Sequence, residues 1–300
     1  MPSWDDFQPF IVTGLALGGV YALSGVGMVV LYRTTGVLNL AFGAIGALSA
    51  LLAWDLINNS FWPEWPAYGV AVLIAAVITV GYGVVIGPAL AGRDPLVKAT
   101  STLGLALILL GTMSWIWSDK ARSQVLPTSE PAFDIGSVTV TYTQLIAFAL
   151  GVAVTFGTAA FLRYTKLGTA MRGLANDREI TATLGVPVRW VEAQAWLVSG
   201  VLSGVSGLLL SDLVGLDAVS LTFLVISSLA AALIARLRSL LITFGAALVV
   251  GLASALATPI NSISEYRNMA PFVLATIALL IISRKREISF SGVGLGNGRG

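Results

Sequence analysis

The chain has 300 residues, of which 56% are hydrophobic and 11% charged, with 17 Lys and Arg against 15 Asp and Glu and a formal net charge of +2. Soluble domains carry about 25% charged residues, so this composition and a mean hydropathy of +0.88 describe an integral membrane protein. Cysteine and histidine are absent, which removes disulfides, thiolate nucleophiles, imidazole bases and imidazole metal ligands together, and with them most enzyme chemistry.

About twenty apolar residues cross a ~30 Å hydrocarbon core at about 1.5 Å per residue. On that measure spans are predicted at 10–32, 37–57, 67–92, 99–118, 143–162, 193–213, 219–235, 239–260 and 269–283. The expected fold is an all-α integral membrane protein of about nine transmembrane helices, eight to ten, forming a single transmembrane domain over 1–300. Ten-residue alternating segments of the barrel kind are not found. Asp5 and Asp6 stand where a cleavable signal peptide needs a basic stretch, so none is expected.

Taken in order, the first span carries Gly14 and Gly18, whose spacing lets helices approach closely. After only Arg33-Thr34-Thr35-Gly36 the second begins, and a re-entrant or broken helix fits so short a joint. Within it Asn39, flanked by Gly36 and Gly43 and followed by Phe42, has two readings. A broken helix there exposes backbone groups to a solute, or Asn39 makes an interhelical hydrogen bond of about 0.6 kcal/mol. Gly83 and Gly87 repeat the packing spacing in the third span. Thr100, Ser101 and Thr102 open the fourth, where they face a path or bond their own helix backbone. Gly200, Gly204 and Gly207 form a packing stripe in the sixth.

Charge sets the orientation. With the N-terminus external, Arg33, Arg93, Lys98, Arg163, Lys166, Arg172, Arg178, Arg189, Arg236, Arg238, Arg284, Lys285, Arg286 and Arg299 fall in the cytoplasm, and Lys120, Arg122 and Arg267 outside. The C-terminus is then cytoplasmic, as is the charge-dense stretch 163–192. Trp54, Trp62, Trp65, Trp115 and Trp117 gather near the external ends, as interface-seeking indoles do. In 163–192, Asp177 reads as the N-cap of a short helix through Leu184, with Gly185 past its end and Pro187 stopping it; a turn at Ala170 to Ala175 precedes it. Two short helices of this kind present a knob to a cytosolic partner; a plain solvated connection is the other reading.

The run Thr169-Ala170-Met171-Arg172-Gly173-Leu174-Ala175-Asn176-Asp177-Arg178-Glu179, then Leu184-Gly185-Val186, resembles the cytoplasmic coupling loop of branched-chain amino acid ABC transporter permeases. Gly14 to Leu23, Gly36 to Gly43, Thr102 to Leu105 and Val198 to Leu208 are similar to that family in the same order. The resemblance implies a type II-like ABC importer permease in a prokaryotic inner membrane. It also implies a second homologous permease or a second copy, two cytosolic ABC ATPase subunits and an external solute-binding protein. Cofactors are none on this chain, with ATP and Mg on the ATPases, and nucleic acid is not a partner. Ala170, Met171, Arg172, Gly173, Asn176, Asp177, Arg178, Glu179, Leu184 and Gly185 become the ATPase-coupling residues. Asn39, Phe42, Gly43, Thr100, Ser101 and Thr102 become the candidate translocation path.

Three blocks depart from the family. Phe42-Gly43-Ala44 stands where many relatives have His-Gly-Glu, Ala235 to Gly245 replaces a glycine-rich repeat, and Ser283-Arg284-Lys285-Arg286 replaces an Arg-Pro-rich tail. These departures bear on the cargo. This chain has no G-x-x-x-x-G-K-[ST] phosphate loop, and no Asp, Glu, Lys or Arg in the middle of a predicted span. The second absence argues against the alternative of an ion-coupled secondary transporter or channel acting without ATPases.

Overall fold

One helix, α1 (Trp4–Thr35), runs through the middle of the bundle, and 94% of its most apolar eighteen-residue window is buried. The computed structural model describes residues 4–118, 122–135 and 138–258, together with Val273, Thr276 and Ile277. An apolar helix can be enclosed on several sides only where its neighbours come close, and α1 permits this through glycine. A Cβ on Gly18 would stand 2.8 Å from Leu248 Cα, and one on Gly19 would stand 2.7 Å from Phe148 Cα. The helix ends at Gly36, whose φ of +69° is the left-handed cap that glycine adopts without strain; its amide donates to Tyr32 O at 2.8 Å.

The next helices are α2 (Phe42–Asn58), α3 (Glu64–Val85), the one-turn α4 (Gly87–Leu90) and α5 (Pro95–Trp117). Pro88 in the first turn of α4 lacks the amide needed to continue α3, so the span predicted to reach residue 92 stops at Val85. Asp94 caps α5 by accepting the Leu96 amide at 2.8 Å, and Pro95 occupies its first turn.

The stretch before the next helix adds a short hairpin to the otherwise helical fold. β1 (Pro131–Ile135) and β2 (Val138–Thr141) pair antiparallel. Val138 and Val140 turn inward while Thr139 is exposed, the period-two pattern of a strand; at four or five residues it is too short to show in a scan for ten-residue segments. Thr141 ends β2 and caps α6 (Tyr142–Tyr164) in a reciprocal capping box with Gln144. After it come α7 (Lys166–Asn176), α8 (Arg178–Thr183), α9 (Val188–Val214), α10 (Ala218–Ile234) and α11 (Leu240–Leu256).

Among the described residues five helices are long and apolar enough to cross a membrane, within α1, α3, α5, α6 and α9, while α2, α10 and α11 are shorter apolar helices. The predicted 269–283 span and the basic Arg284-Lys285-Arg286 end lie outside the described residues. The outer members α5 and α6 have only 22% of their most apolar windows buried, which fits a hydrocarbon surround. The glycine stripe of α9 packs as expected. Gly200 meets Ala76 and Gly204 meets Val72 on α3, and Gly207 meets Gly46 on α2 backbone to backbone. Gly83 lies under the Trp196 indole, whereas Gly87 has nothing within 4 Å, so the packing expectation does not extend to it.

Candidate functional site

Between α1 and α2 the chain is unwound from Gly36 to Ala41, at the joint where a break was expected. The freed backbone groups have replacements. The Val37 amide donates to Thr35 Oγ1 at 3.1 Å, and Asn39 folds back so that its Oδ1 accepts the Ala41 amide at 3.1 Å, an Asx turn. Thr102 reaches across from α5: its hydroxyl oxygen accepts the Leu40 amide at 3.1 Å, and its proton is shared between Leu38 O at 2.8 Å and Ala99 O at 2.9 Å.

Asn39 is 1% exposed, and its Nδ2 finds no hydrogen-bond partner among the described residues. A buried amide donor left unpaired costs about 1–3 kcal/mol. Phe42 is buried, with its ring against Gly27 and its carbonyl accepting from Ser203 Oγ at 2.5 Å. Gly43 lies against the carbonyl of Thr222 on α10. A small cavity of about 10 Å³, room for one water, is lined by Ser24, Phe42, Gly43, Ser206 and Ser228 among others. The three hydroxyls of α5 separate: Thr102 belongs to the unwound segment, Ser101 bonds Tyr82 OH at 2.6 Å, and Thr100 bonds its own helix at Leu96 O and Val97 O.

The 163–192 stretch folds as the two expected short helices. Thr165 caps α7 by accepting the Gly168 amide at 2.9 Å, and Gly168, Met171 and Leu174 are buried against the bundle. Spacing of three keeps them on one face, leaving Arg172 and Asn176 exposed and Ala170 and Gly173 at the margin. Asp177 caps α8, its Oδ1 accepting the Ile180 amide at 2.9 Å, while Thr181 Oγ1 bonds back to Asp177 O and touches Gly173. Gly185, with φ +81°, turns the chain into open space. Arg178 ties the loop to α9 through Glu192, Nε to Oε1 at 3.0 Å and Nη2 to Oε2 at 3.4 Å. Glu179 and Leu184 are exposed, and so are Ile180 at 60% and Trp190 at 55%. Ile180 and Trp190, which were not singled out in the sequence, leave apolar side chains exposed beside these charges.

At the opposite end of the bundle two tryptophans depart from an interface-seeking role. Trp117 is buried and donates from Nε1 to Asp55 Oδ1 at 3.1 Å, and the Arg122 guanidinium sits 4.9 Å over the Trp54 ring. Asp212 accepts the Leu126 amide at 3.0 Å and bonds Ser129 Oγ. These contacts join α5 to α2 and fasten the hairpin-bearing connection to α2 and α9. Trp65 and Trp115 remain largely exposed, as expected of interface residues.

Residues 10–282 match the family described as branched-chain amino acid transport system / permease component. The high-affinity branched-chain amino acid transport system permease protein BraD of Pseudomonas aeruginosa is 25% identical, the alignment covering 93% of this chain and 95% of BraD. The corresponding permease protein LivH of Escherichia coli K12 is 23% identical over 92% of this chain and 94% of its own length. A solved structure, PsaBC from Streptococcus pneumoniae in complex with Fab, is similar with a TM-score of 0.48 and 16% identity, covering 90% of both chains.

Proposed function

Because this chain belongs to the family of branched-chain amino acid transport system permease components, we propose that it is the transmembrane permease subunit of an ATP-driven importer for branched-chain amino acids or a related small solute. The observation that carries this reading is the capped two-helix unit from Lys166 to Thr183. Its inner face is anchored by Met171 and Leu174, and its outer face presents Arg172, Glu179 and Ile180, with exposed Leu184 just past its end. In this reading α7 and α8 seat in a cleft of a cytosolic ATPase subunit, whose closure moves them as a rigid body. ATP and Mg stay on two such subunits, a second permease completes the membrane core, and an external binding protein delivers the solute. The chain crosses the inner membrane about nine times with its N-terminus outside, which puts α7 and α8 in the cytoplasm. The broken segment Gly36–Ala41, with Asn39, Phe42, Gly43 and the Thr100 to Thr102 stretch, borders the path that the paired permeases open and close.

The direct test is to tag this chain, extract it gently from its native membrane and identify its companions by mass spectrometry. Two ATPases and a second permease are expected, and uptake in reconstituted vesicles should require ATP and the binding protein. A lone chain that moves solute without nucleotide overturns the reading in favour of a secondary carrier.

A further inference from the structure

The face that carries α7 and α8 has a second feature that the transport reading does not use. An open basin of about 740 Å³ lies between the end of α1, the α7–α8 junction and the turn joining α10 to α11. Arg33, Arg178, Arg236 and Arg238 line it together with Tyr32, and among the described residues no Asp or Glu does. Lys98 adds a fifth positive charge at the rim, its Nζ 3.4 Å from where a Cβ on Gly36 would stand. Among the described residues only Arg178 of this group is ion-paired, to Glu192.

Positive charge on one membrane face is ordinary, and Arg33 in the last turn of α1 also complements that helix's dipole. Neither explains Arg236. It sits at φ +55° and Leu237 at +54°, a left-handed conformation that glycine adopts freely and other residues do not. The turn is closed by the Arg236 amide to Leu233 O at 2.8 Å, the Leu237 amide to Ala232 O at 2.8 Å and the Arg238 amide to Ala235 O at 3.1 Å. Leu237 is buried while Arg236 and Arg238 are exposed, and Arg33 Nη1 donates to Arg238 O at 3.1 Å, which fixes the first arginine to the backbone of the last. Backbone strain of this kind clusters at functional sites.

We propose that this basin binds a small multivalent oxyanion of the phosphate class. Its volume lies in the range of small-ligand sites, guanidinium groups match the geometry of phosphate oxygens, and a concave cluster of one sign concentrates counter-ions. Arg33, Arg236 and Arg238 converge with no carboxylate paired to them among the described residues, while Arg178 keeps Glu192, and an excess of cations of this kind suits an anion of more than one charge. Arg178 belongs to α8, and Arg236 and Arg238 to the turn between two apolar helices, so a bound anion ties the α7–α8 unit to the bundle through a bridge that the chain alone does not make. The inference stands on the basin's own geometry and does not need the importer reading.

The test uses the full chain in nanodiscs of phosphatidylcholine, titrated with inorganic pyrophosphate while its thermal unfolding is followed. A saturable rise in Tm is expected, since a ligand that binds only the folded state stabilises it by mass action, and potassium chloride at matched ionic strength should not reproduce it. If phosphatidylglycerol added to the nanodisc raises Tm and removes the pyrophosphate increment, the natural anion at the site is a lipid headgroup; if the increment persists, it is a soluble phosphate. Arg236→Gly with Arg238→Gln leaves the turn intact, because glycine takes the left-handed conformation, and should weaken apparent pyrophosphate affinity at least tenfold. An equal rise with chloride, or an unchanged response in the double variant, overturns the proposal.

Discussion

Thr102 on α5 and Leu40 in the unwound joint are linked by a 3.1 Å hydrogen bond from the Leu40 amide to the Thr102 hydroxyl. The same hydroxyl reaches Leu38 O, so one side chain answers both a donor and an acceptor that the broken helix leaves without intrahelical partners. Thr102→Val keeps the shape and removes both bonds. It should lower stability by about 1–3 kcal/mol, the cost of stranding buried backbone groups, whereas Thr102→Ser should recover most of the loss. Unfolding in mild detergent reads the difference, and equal stability of the two variants would show that the joint does not depend on this hydroxyl.

Asn39 separates a path role from a packing role. Asn39→Leu removes a buried donor that has no partner among the described residues and also the Asx turn to Ala41. If Asn39 borders the path, solute uptake or selectivity should change while co-purification of ATPase subunits does not. Unchanged uptake with a lowered Tm would return Asn39 to packing.

On the α7–α8 unit, Arg172 is exposed and makes no structural bond that its loss would break among the described residues. Arg172→Glu should therefore depress solute-stimulated ATP hydrolysis severalfold with Tm unchanged. Unaltered stimulation would sink the coupling role. Asp177 is different because it caps α8. Asp177→Ala should cost about 1 kcal/mol and Asp177→Asn much less, since asparagine caps as well, with hydrogen exchange of the 178–183 amides as the readout.

Gly207 and Gly46 meet backbone to backbone, and a β-carbon on either would collide with the other chain segment. Gly207→Val should cost at least the 1–3 kcal/mol typical of overpacking and lower the yield of folded protein. Gly87→Ala is the control: nothing lies within 4 Å of its Cβ position, so its effect should stay within about 0.5 kcal/mol. A tolerated valine at 207 would mean that α2 and α9 separate easily.

The membrane class, the order of the apolar helices and the capped pair α7–α8 were legible because each rests on short-range pattern: apolar run length, and Asp177 three residues before the amide it caps. The break at Gly36–Ala41 was legible for the same reason, as glycine flanks a polar residue inside an apolar run. What escaped depends on distant partners. The residue that staples the break, Thr102, lies 62 positions from Leu40, and three adjacent hydroxyls on α5 look alike until their neighbours are known. Trp117 reads as an interface residue until Asp55 is seen beside its indole nitrogen. The hairpin was missed because two short strands carry little periodic signal, and the basin because its arginines come from three separate parts of the chain.

The burial of α1 has a consequence for biogenesis. The helix precedes the other described spans in the chain, yet its notches at Gly14 and Gly18 are filled by Leu252 and Leu248 of α11, more than two hundred positions later. The innermost helix of the finished bundle thus waits, as the nascent chain lengthens, for one of the last described segments to close over it. Ribosome stalling or truncation before α11 leaves an assembled shell around an unsealed axis, the kind of intermediate that membrane quality control would be expected to degrade.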